Sequence, residues 1–337
     1  MSGGLRVLSV GPAVTVQDAG RPGWIGQGLS RGGAMDRQAL AEAAALLDQP
    51  QGAALEMAGA GGRFEALSDL RIALTGAPMR AQIDGQPVVW HAVHALPKGA
   101  VLDLGPVTAG VYGYLSLGGG FDLPMVLGAQ SAHLTAGLGA RLEPGEVLPA
   151  GPDRGGPTGR KLAVEDRFSG GLLRLVPSLQ TGLFPEEQRD RLGRTRFVRD
   201  SRANRMGVKL VPEGEGFGVE GGLSVVSEVI TPGDIQITGD GAPFVLMAEC
   251  QTTGGYPRLG TVIPADLPRV AQAPAGAGLR FRFVTLDEAL AAEAAHRAQM
   301  AGLRGQVAPL IRHPSEVRDL LSLKLVSGFS NGEHHDH

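Results

Sequence analysis

Residues 245–270 read VLMAECQTTGGYPRLGTVIPADLPRV, and two short apolar runs in this stretch flank a polar connection. Residues 245–250 and 259–263 have the length and composition of buried strands. The connection between them, QTTGGYP at 251–257, is unusually rich in functional groups, because a tight hairpin needs only two turn residues such as Asn-Gly. Two interpretations stay open: an ordinary wide hairpin, or a loop that binds a ligand.

The chemistry of this connection suits a planar amide, a ureido group or a carboxylate. Adjacent glycines let backbone N–H groups approach a ligand because no Cβ intervenes. The amide and the hydroxyls can both donate and accept hydrogen bonds, and the phenol offers a flat apolar face with a polar tip. The residues concerned are Gln251, Thr252, Thr253, Gly254, Gly255 and Tyr256.

The rest of the chain repeats the pattern of short apolar runs between turn residues, which predicts a mainly β fold. The 337 residues include 52 glycines and 23 prolines without a fixed period, so a collagen-like chain is excluded. DGQPVV at 84–89 resembles DGAPFV at 240–245, and PKGAVL at 97–102 resembles PAGAGL at 274–279. These echoes indicate either two related β-barrel domains or chance similarity between turns.

The stretch AGPDRGGPTGRK at 150–161 has the composition of a linker and places a domain boundary there. We predict a first β domain at 1–155, a second at 160–285, and a C-terminal helical extension with a disordered tail at 286–337.

Capping signals predict a few short helices between the strands. Asp36 is a candidate N-cap for a helix over 37–48, and Pro185 is expected at the first position of another short helix. Thr285 and Glu288 form a capping box for a helix to about residue 303. A last helix is expected over 316–325.

Composition excludes several classes of function. A net charge of −3 and a pI of about 6.3 provide no basic field for nucleic acid. The single cysteine, Cys250, excludes a disulfide framework and is expected to be a buried, inert thiol. His91 and His94 lie three apart in a predicted strand, so they face opposite sides, and no metal site is expected. Without an apolar signal core or a membrane-length run, we expect a cytoplasmic protein.

Two further stretches could bind anions. SRANRMGVKL at 201–210 places Asn204 and Arg205 in a turn, where arginine could hold a carboxylate or phosphate, although a solvated turn is equally compatible. DAGRPGWIGQGLSRGGAMDR at 18–37 is glycine-rich and leads into the N-terminus of a helix, which is a plausible anion cradle. It is not a Walker A loop, because the terminal Gly-Lys-Ser/Thr is missing.

Together these stretches resemble one family, allophanate hydrolase subunit 2, also described as KipA or as the C subunit of 5-oxoprolinase. They are also similar to the A and B domains of the carboxyltransferase of urea carboxylase. The matching stretches run in family order from about residue 5 to 285, and the most specific is QTTGGYP followed by PADLPRVAQ at 264–272. Others are TVQDAGRPG at 15–23, GAMDRQALAEAAALL at 33–47, YLSLGGGFDLPMVLGAQS at 114–131 and NRMGVKL at 204–210.

The resemblance implies two tandem cyclophilin-like β-barrels and a component of an ATP-dependent 5-oxoprolinase. Such a chain would act with the A subunit and the KipI-like B subunit of that enzyme to hydrolyse 5-oxoproline to L-glutamate, and alone it would be inactive. ATP would be used by the complex. The catalytic candidates are then Gln251, Thr252 and Thr253. The substrate-binding candidates are Asn204, Arg205, Gly254, Gly255, Tyr256, Arg21 and Asp36.

Two other functions remain compatible with the resemblance. One is a biotin-dependent carboxyltransferase component that acts on urea or a similar amide, although no Ala-Met-Lys-Met biotin-carrier string is present. The other is a KipA-like regulatory binding protein. The sequence also departs from the family at Ala203, where Asp or Ser is common, and at Cys250, where Ala is common.

Overall fold

The computed structural model describes residues 3–219 and 225–311. The fold is mainly β, as predicted, with two β units in tandem. The strands of the first unit are β1 (Gly4–Val10), β2 (Val14–Gln17), β3 (Ala54–Ala58), β4 (Ala60–Ala66), β5 (Leu70–Gly76), β6 (Met79–Ile83), β7 (Gln86–Pro87), β8 (Ala92–Leu96), β9 (Val101–Val107), β10 (Tyr112–Leu117), β11 (Val147–Pro149) and β12 (Arg160–Lys161).

The second unit and the segment after it supply the remaining described strands. These are β13 (Gly171–Val176), β14 (Phe197–Asn204), β15 (Gly207–Pro212), β16 (Glu228–Val229), β17 (Asp234–Ile237), β18 (Pro243–Leu246), β19 (Thr253–Gly254), β20 (Arg258–Val262), β21 (Gly278–Phe283) and β22 (Ala308–Pro309).

The first unit consists of two packed sheets. One has the strand order β11-β1-β4-β9-β6-β7, and the other has the order β2-β3-β10-β5-β8-β12-β22. The apolar side chains between them include Leu5, Phe64, Leu102 and Leu115, all fully buried. Burial of this interior surface stabilises the unit by about 25 cal/mol per Å² of apolar area removed from water.

The second unit is a closed barrel with the strand order β13-β20-β17-β18-β15-β14-β21. Its closure joins β13 and β21 in parallel, whereas the other neighbours are antiparallel. Closure leaves the barrel without a free edge, so every barrel strand has two hydrogen-bonded neighbours.

Strands β18 and β20, which flank the polar connection at 251–257, are not hairpin partners. Both pair with β17, since Ile235 lies opposite Val245 on one side and opposite Gly260 on the other. The hairpin interpretation of this connection is therefore wrong. Instead, β19 within the connection pairs with β16 in a separate two-stranded sheet.

Four helices lie between or beside the described strands: α1 (Arg37–Leu47), α2 (Glu186–Arg194), α3 (Leu267–Gln272) and α4 (Leu286–Gly302). Helix α1 begins after Asp36, whose side chain accepts a hydrogen bond from the Ala39 N–H, and α4 begins with the predicted capping box. Pro185 is the N-cap of α2 rather than its first residue. The sequence did not indicate α3. The helix expected at 316–325 and the disordered tail lie outside the described residues.

The chain returns to the first unit after the barrel. Helix α4 packs against α1, and β22 adds to the edge of the first unit's seven-stranded sheet by pairing with β12. Strand β12, which begins at residue 160, pairs with β8 of the first unit. The domain limits 1–155, 160–285 and 286–337 remain predictions.

A single apolar cluster crosses the boundary between the two units. Met35 and Leu40 from the first unit belong to the same buried cluster as Leu210, Val245 and Phe281 from the barrel. The two units therefore share an interior, and their relative position is fixed by packing. None of the helices that the structure describes is long and apolar enough to cross a membrane.

Candidate functional site

The QTTGG loop, residues 251–255, is accessible and offers free hydrogen-bonding groups. The side chains of Gln251 and Thr253 are exposed, and that of Thr252 is half-buried. Within residues 3–219 and 225–311, none of these three side chains forms a hydrogen bond. Tyr256, which follows the loop, is 46% exposed. The loop can therefore present an amide, two hydroxyls and a phenol to another molecule.

Backbone hydrogen bonds fix the loop against neighbouring strands. The Thr252 carbonyl accepts from the Ile230 N–H at 3.0 Å, and the Gly255 carbonyl accepts from the Val225 N–H at 2.9 Å. Gly254 also has a packing role, since a Cβ there would lie 2.4 Å from Nε2 of Gln236. The bare backbone at Gly254 is thus required by its neighbours, whether or not a ligand binds.

Arg258 anchors the strand that holds the loop. Its guanidinium donates to the Val229 carbonyl at 3.0 Å and pairs with Glu228, both in β16. The same side chain pairs with Asp234 at 3.3 Å and is only 8% exposed. Strand β16 is paired with β19, which consists of Thr253 and Gly254. The ion pairs that hold β16 therefore also help to position these two loop residues.

Arg205 links the two units, because it binds one buried carboxylate from each of them. Its Nε donates to Glu249 at 2.6 Å, its Nη1 pairs with Glu56, and its Nη2 donates to the Gly33 carbonyl at 2.6 Å. Each carboxylate side chain is only 2% exposed. Burial tends to raise the pKa of Glu249, but the charge and hydrogen bond of Arg205 outweigh it and hold that pKa below its usual value.

The network continues from Glu56 to the start of α1. The Tyr114 hydroxyl donates to Glu56 at 2.7 Å and accepts from the Asp36 N–H at 2.8 Å. Burial, with Glu56 beside it, raises the pKa of Tyr114 well above its usual value, so the hydroxyl keeps its proton and remains a donor. The position of Arg205 is thereby coupled to the N-terminus of a helix.

Asp36 is fully buried and its carboxylate is already bound by protein groups. It accepts hydrogen bonds from Arg167 at 2.7 Å, from Gln272 at 2.8 Å and from the Ala39 N–H at 3.3 Å. Arg167 also binds Glu42 through both terminal nitrogens. These partners make Asp36 a residue that positions α1 and α3.

The two remaining candidates are in different settings. Arg21 is 1% exposed and lies in the first unit, where it donates to the carbonyls of Val126 and Ser131. Asn204 is exposed, and its side-chain carbonyl accepts from the Met206 N–H at 2.8 Å, which stabilises the turn before β15. Arg205 and Asp36 therefore share one network that also contains Glu249, two residues before the loop, whereas Arg21 and Asn204 lie outside it.

A groove of about 490 Å³ opens between the two units, and some of the residues that line it are near the loop in sequence. Its barrel-side wall includes Met247 and Ala248, and Ala248 lies three residues before Gln251. No residue of the QTTGG loop lines the groove. The lining is apolar at Ala34, Met35, Ala41, Met247, Ala248, Leu267, Pro268 and Met300. Its basic residues are Arg31, Arg37, His296 and Arg297.

The basic residues of this interdomain groove are suited to an anion. Burial, together with the charge of Arg31, lowers the pKa of Arg37 to about 10. None of the three arginines is within 4.0 Å of a carboxylate in the part of the chain that the structure describes. A bound anion would relieve the repulsion between Arg31 and Arg37.

Comparison with known proteins places this arrangement in a family. The sequence profile described as "Carboxyltransferase domain, subdomain A and B" matches residues 27–283. The chain belongs to this carboxyltransferase family. It is 33% identical over 293 residues to the C subunit of the 5-oxoprolinase of Escherichia coli, a match that covers 86% of this chain and 94% of that protein.

Two solved structures have a similar fold. The crystal structure of TTHA0988 superposes with a TM-score of 0.76 at 31% identity, and the match covers 84% of this chain and 55% of that chain. The K. lactis urea amidolyase superposes with a TM-score of 0.77 at 22% identity, over 93% of this chain and 21% of that chain. The chain therefore spans about half of the first relative and a fifth of the second.

Several residues of this carboxyltransferase-family chain were missed by sequence reasoning. The groove arginines come from distant segments, 31–37 and α4, so no local motif joins them. Glu249 and Arg258 border the QTTGGYP motif, but their partners Arg205 and Asp234 are remote in sequence. Cys250 is buried as expected, and burial raises its pKa to about 12, so the thiol is a poor nucleophile.

Proposed function

We propose that this chain is the C subunit of an ATP-dependent 5-oxoprolinase and that its QTTGG loop binds the lactam of 5-oxoproline. The observation that carries the proposal is a set of accessible hydrogen-bonding side chains, Gln251, Thr252 and Thr253, that have no hydrogen-bond partner among the described residues. These groups lie on a loop that is held in position by the ion pairs of Arg258. The similarity to the C subunit of a bacterial 5-oxoprolinase over most of both chains supports the same substrate.

The chemistry explains why ATP is needed and what the loop contributes. A lactam carbonyl is a poor electrophile, and transfer of the γ-phosphoryl group of ATP to its oxygen makes the carbon far more reactive. Water then adds to that carbon and the C–N bond breaks to give γ-glutamyl phosphate, and a second water hydrolyses this acyl phosphate to glutamate and phosphate. Donors from Thr252, Thr253 and the nearby backbone would stabilise the charge that develops on the oxygen, by about 3 kcal/mol for each well-placed donor.

Partner proteins would complete the site. The loop lies outside the lining of the interdomain groove, so a second surface is needed to exclude water from a lactam bound there. The groove arginines, Arg31, Arg37 and Arg297, are suited to the anionic groups of the reactants: the carboxylate of 5-oxoproline and the phosphates of ATP. We therefore assign the A and B subunits of 5-oxoprolinase as partners and expect little turnover by this chain alone.

The test is ATP-dependent release of glutamate by the chain reconstituted with the A and B subunits. Thr252→Val keeps the shape of the side chain and removes its hydroxyl, and Gln251→Ala removes the amide. We expect each to lower kcat/KM by about 100-fold, the usual effect of losing one donor to a developing oxyanion. Gln86→Ala is the matched control, because Gln86 is also exposed and forms no side-chain hydrogen bond with described residues.

Wild-type kcat/KM in both loop variants would contradict the role given to the loop. Turnover by this chain without partners would contradict the shared site. Full turnover by the A and B subunits without this chain would instead favour a KipA-like regulatory role for it.

A second candidate function is carboxyl transfer from carboxybiotin to a urea-like amide, and the name of the matching family favours it. The planar ureido group of biotin and the amide of urea would suit the same loop. The discriminating assay supplies the reconstituted complex with urea, bicarbonate, ATP, a biotinylated carrier and a separate biotin carboxylase that forms carboxybiotin on that carrier. Carboxylated urea, in place of glutamate from 5-oxoproline, would select this function.

A further inference from the structure

A second cavity lies within the first unit, away from the interdomain groove. Its volume is about 430 Å³, within the range of small-molecule sites. No residue lines both this cavity and the groove. Apolar side chains form most of its wall: Val16, Leu123, Pro124, Val126, Leu138, Leu142, Val147 and Leu148. We call it the first-unit cavity.

Arg21 lines the first-unit cavity and is a buried cation without a carboxylate partner. Its Nε donates to the Val126 carbonyl at 3.3 Å and its Nη2 donates to the Ser131 carbonyl. Its Nη1 is buried and has no hydrogen-bond partner among the described residues. In the same part of the chain, no carboxylate oxygen lies within 4.0 Å of this guanidinium. A buried charge without a counter-ion is strongly destabilising, so an anion would be favoured beside it.

Asp18, an acid in the same turn as Arg21, is already engaged elsewhere. The Asp18 carboxylate accepts hydrogen bonds from the Gly20 N–H at 2.8 Å and from the Gln130 N–H at 2.7 Å. These backbone bonds hold the turn in which Arg21 lies, and they leave the guanidinium without a direct ion pair. Arg21 is therefore presented to the cavity by a fixed turn.

Ser131 supplies a second unused polar group beside Arg21. Its side chain lines the cavity, and its buried hydroxyl has no hydrogen-bond partner among the described residues. A hydroxyl can rotate to donate to an oxygen of a ligand. The two exposed charged residues of the lining, Arg141 and Glu146, have opposite signs, so Arg21 supplies the remaining positive charge of the lining.

We propose that the first-unit cavity binds a small monoanion with an apolar body, such as a medium-chain carboxylate. The carboxylate pairs with Nη1 of Arg21 and accepts from the Ser131 hydroxyl, and the apolar body packs against the leucine and valine walls. Phosphates and nucleotides fit less well, because one cation faces a largely apolar space. The site is independent of the function proposed for the QTTGG loop.

The experiment measures binding of hexanoate to the full chain by isothermal titration calorimetry, with 1-hexanol as the uncharged probe of equal length. We expect saturable binding of hexanoate, and 1-hexanol should bind at least about tenfold more weakly, because it lacks the charge-assisted hydrogen bonds. Arg21→Gln should weaken hexanoate binding by a similar factor, while Arg80→Gln, an exposed arginine outside the cavity, should not change it.

Leu138→Trp keeps the proposal testable if Arg21→Gln does not fold. Leu138 is only half-buried, so a larger side chain there can fill the cavity without overpacking a core. We expect loss of hexanoate binding, and the control Leu179→Trp, at a leucine that is 94% exposed, should bind like the wild type. Equal affinity for hexanoate and hexanol, unchanged binding in Leu138→Trp, or no saturation by about 10 mM hexanoate would overturn the proposal.

Discussion

Replacing Arg205 by methionine should destabilise the whole chain, because it leaves two buried carboxylates without their cation. Glu56 and Glu249 are each 2% exposed, and Arg205 binds both of them and the Gly33 carbonyl. Removing one partner from a buried ion pair costs about 3–5 kcal/mol. For a chain of this size such a loss corresponds to a fall in Tm of roughly 10 °C.

The pH dependence gives this prediction a sharper form. In the wild type the pKa of Glu249 is lowered, so its stabilising contribution is present above its unfolded pKa and is lost as pH falls through the folded value. In Arg205→Met, burial without a cation should raise the folded pKa of Glu249 above the unfolded value. That carboxyl then favours the folded state at low pH and loses this contribution as pH rises through the folded pKa. The difference in Tm between wild type and variant should therefore shrink from pH 7.5 to pH 5.

Thermal unfolding followed by circular dichroism at both pH values is the assay. Arg202→Met is the control, since Arg202 lies three residues earlier, in β14, and pairs with Asp200 at the exposed surface, so its Tm should match that of the wild type. A fall in Tm of less than about 2 °C in Arg205→Met, below what about 1 kcal/mol would produce, would refute the reasoning. So would a difference that stays constant as the pH falls.

Two further outcomes follow from the residues at and beside the loop. Gly254→Ala places a Cβ against the amide end of Gln236 and 3.0 Å from Ile230, so it should lower the free energy of unfolding in urea by about 1 kcal/mol; Gly52→Ala, with open space around it, should not. A larger change in Gly52→Ala than in Gly254→Ala would contradict this packing argument. Cys250, with its pKa raised to about 12, should react with a thiol reagent at pH 8 only after the chain is unfolded in urea. Rapid labelling of the folded chain would show that the thiol is accessible.

Local sequence signals predicted the parts of the fold that depend on neighbouring residues. Asp36 and the Thr285–Glu288 capping box mark the starts of α1 and α4, because a cap acts within one turn of its own helix. The pairing of strands was harder to predict. Residues 245–250 and 259–263 read as hairpin partners, but β17 lies between β18 and β20, and no local pattern specifies that neighbour.

The candidate site shows the same limit. The composition of residues 251–256 indicated a connection rich in hydrogen-bonding groups, and the side chains of Gln251, Thr252 and Thr253 form no hydrogen bond with described residues. Arg205 was chosen for anion binding on the basis of its turn, yet its side chain is bound by Glu56, which lies 149 positions earlier in the sequence. Burial and long-range ion pairing decide whether an arginine can reach a ligand. Neither property can be predicted from local patterns in a single sequence.

The return of the chain after the barrel has a consequence for how the two halves are held together. Strand β12 is hydrogen-bonded to β8, and Arg304 donates to the Gln49 carbonyl at 3.0 Å, so segments before and after the barrel both contact residues 1–154. A proteolytic cut in the exposed stretch near Arg154 would break the peptide chain between the two units but would leave these contacts in place. The two fragments should then remain associated as one folded protein. Two separately expressed polypeptides that divide the sequence at that point should likewise assemble.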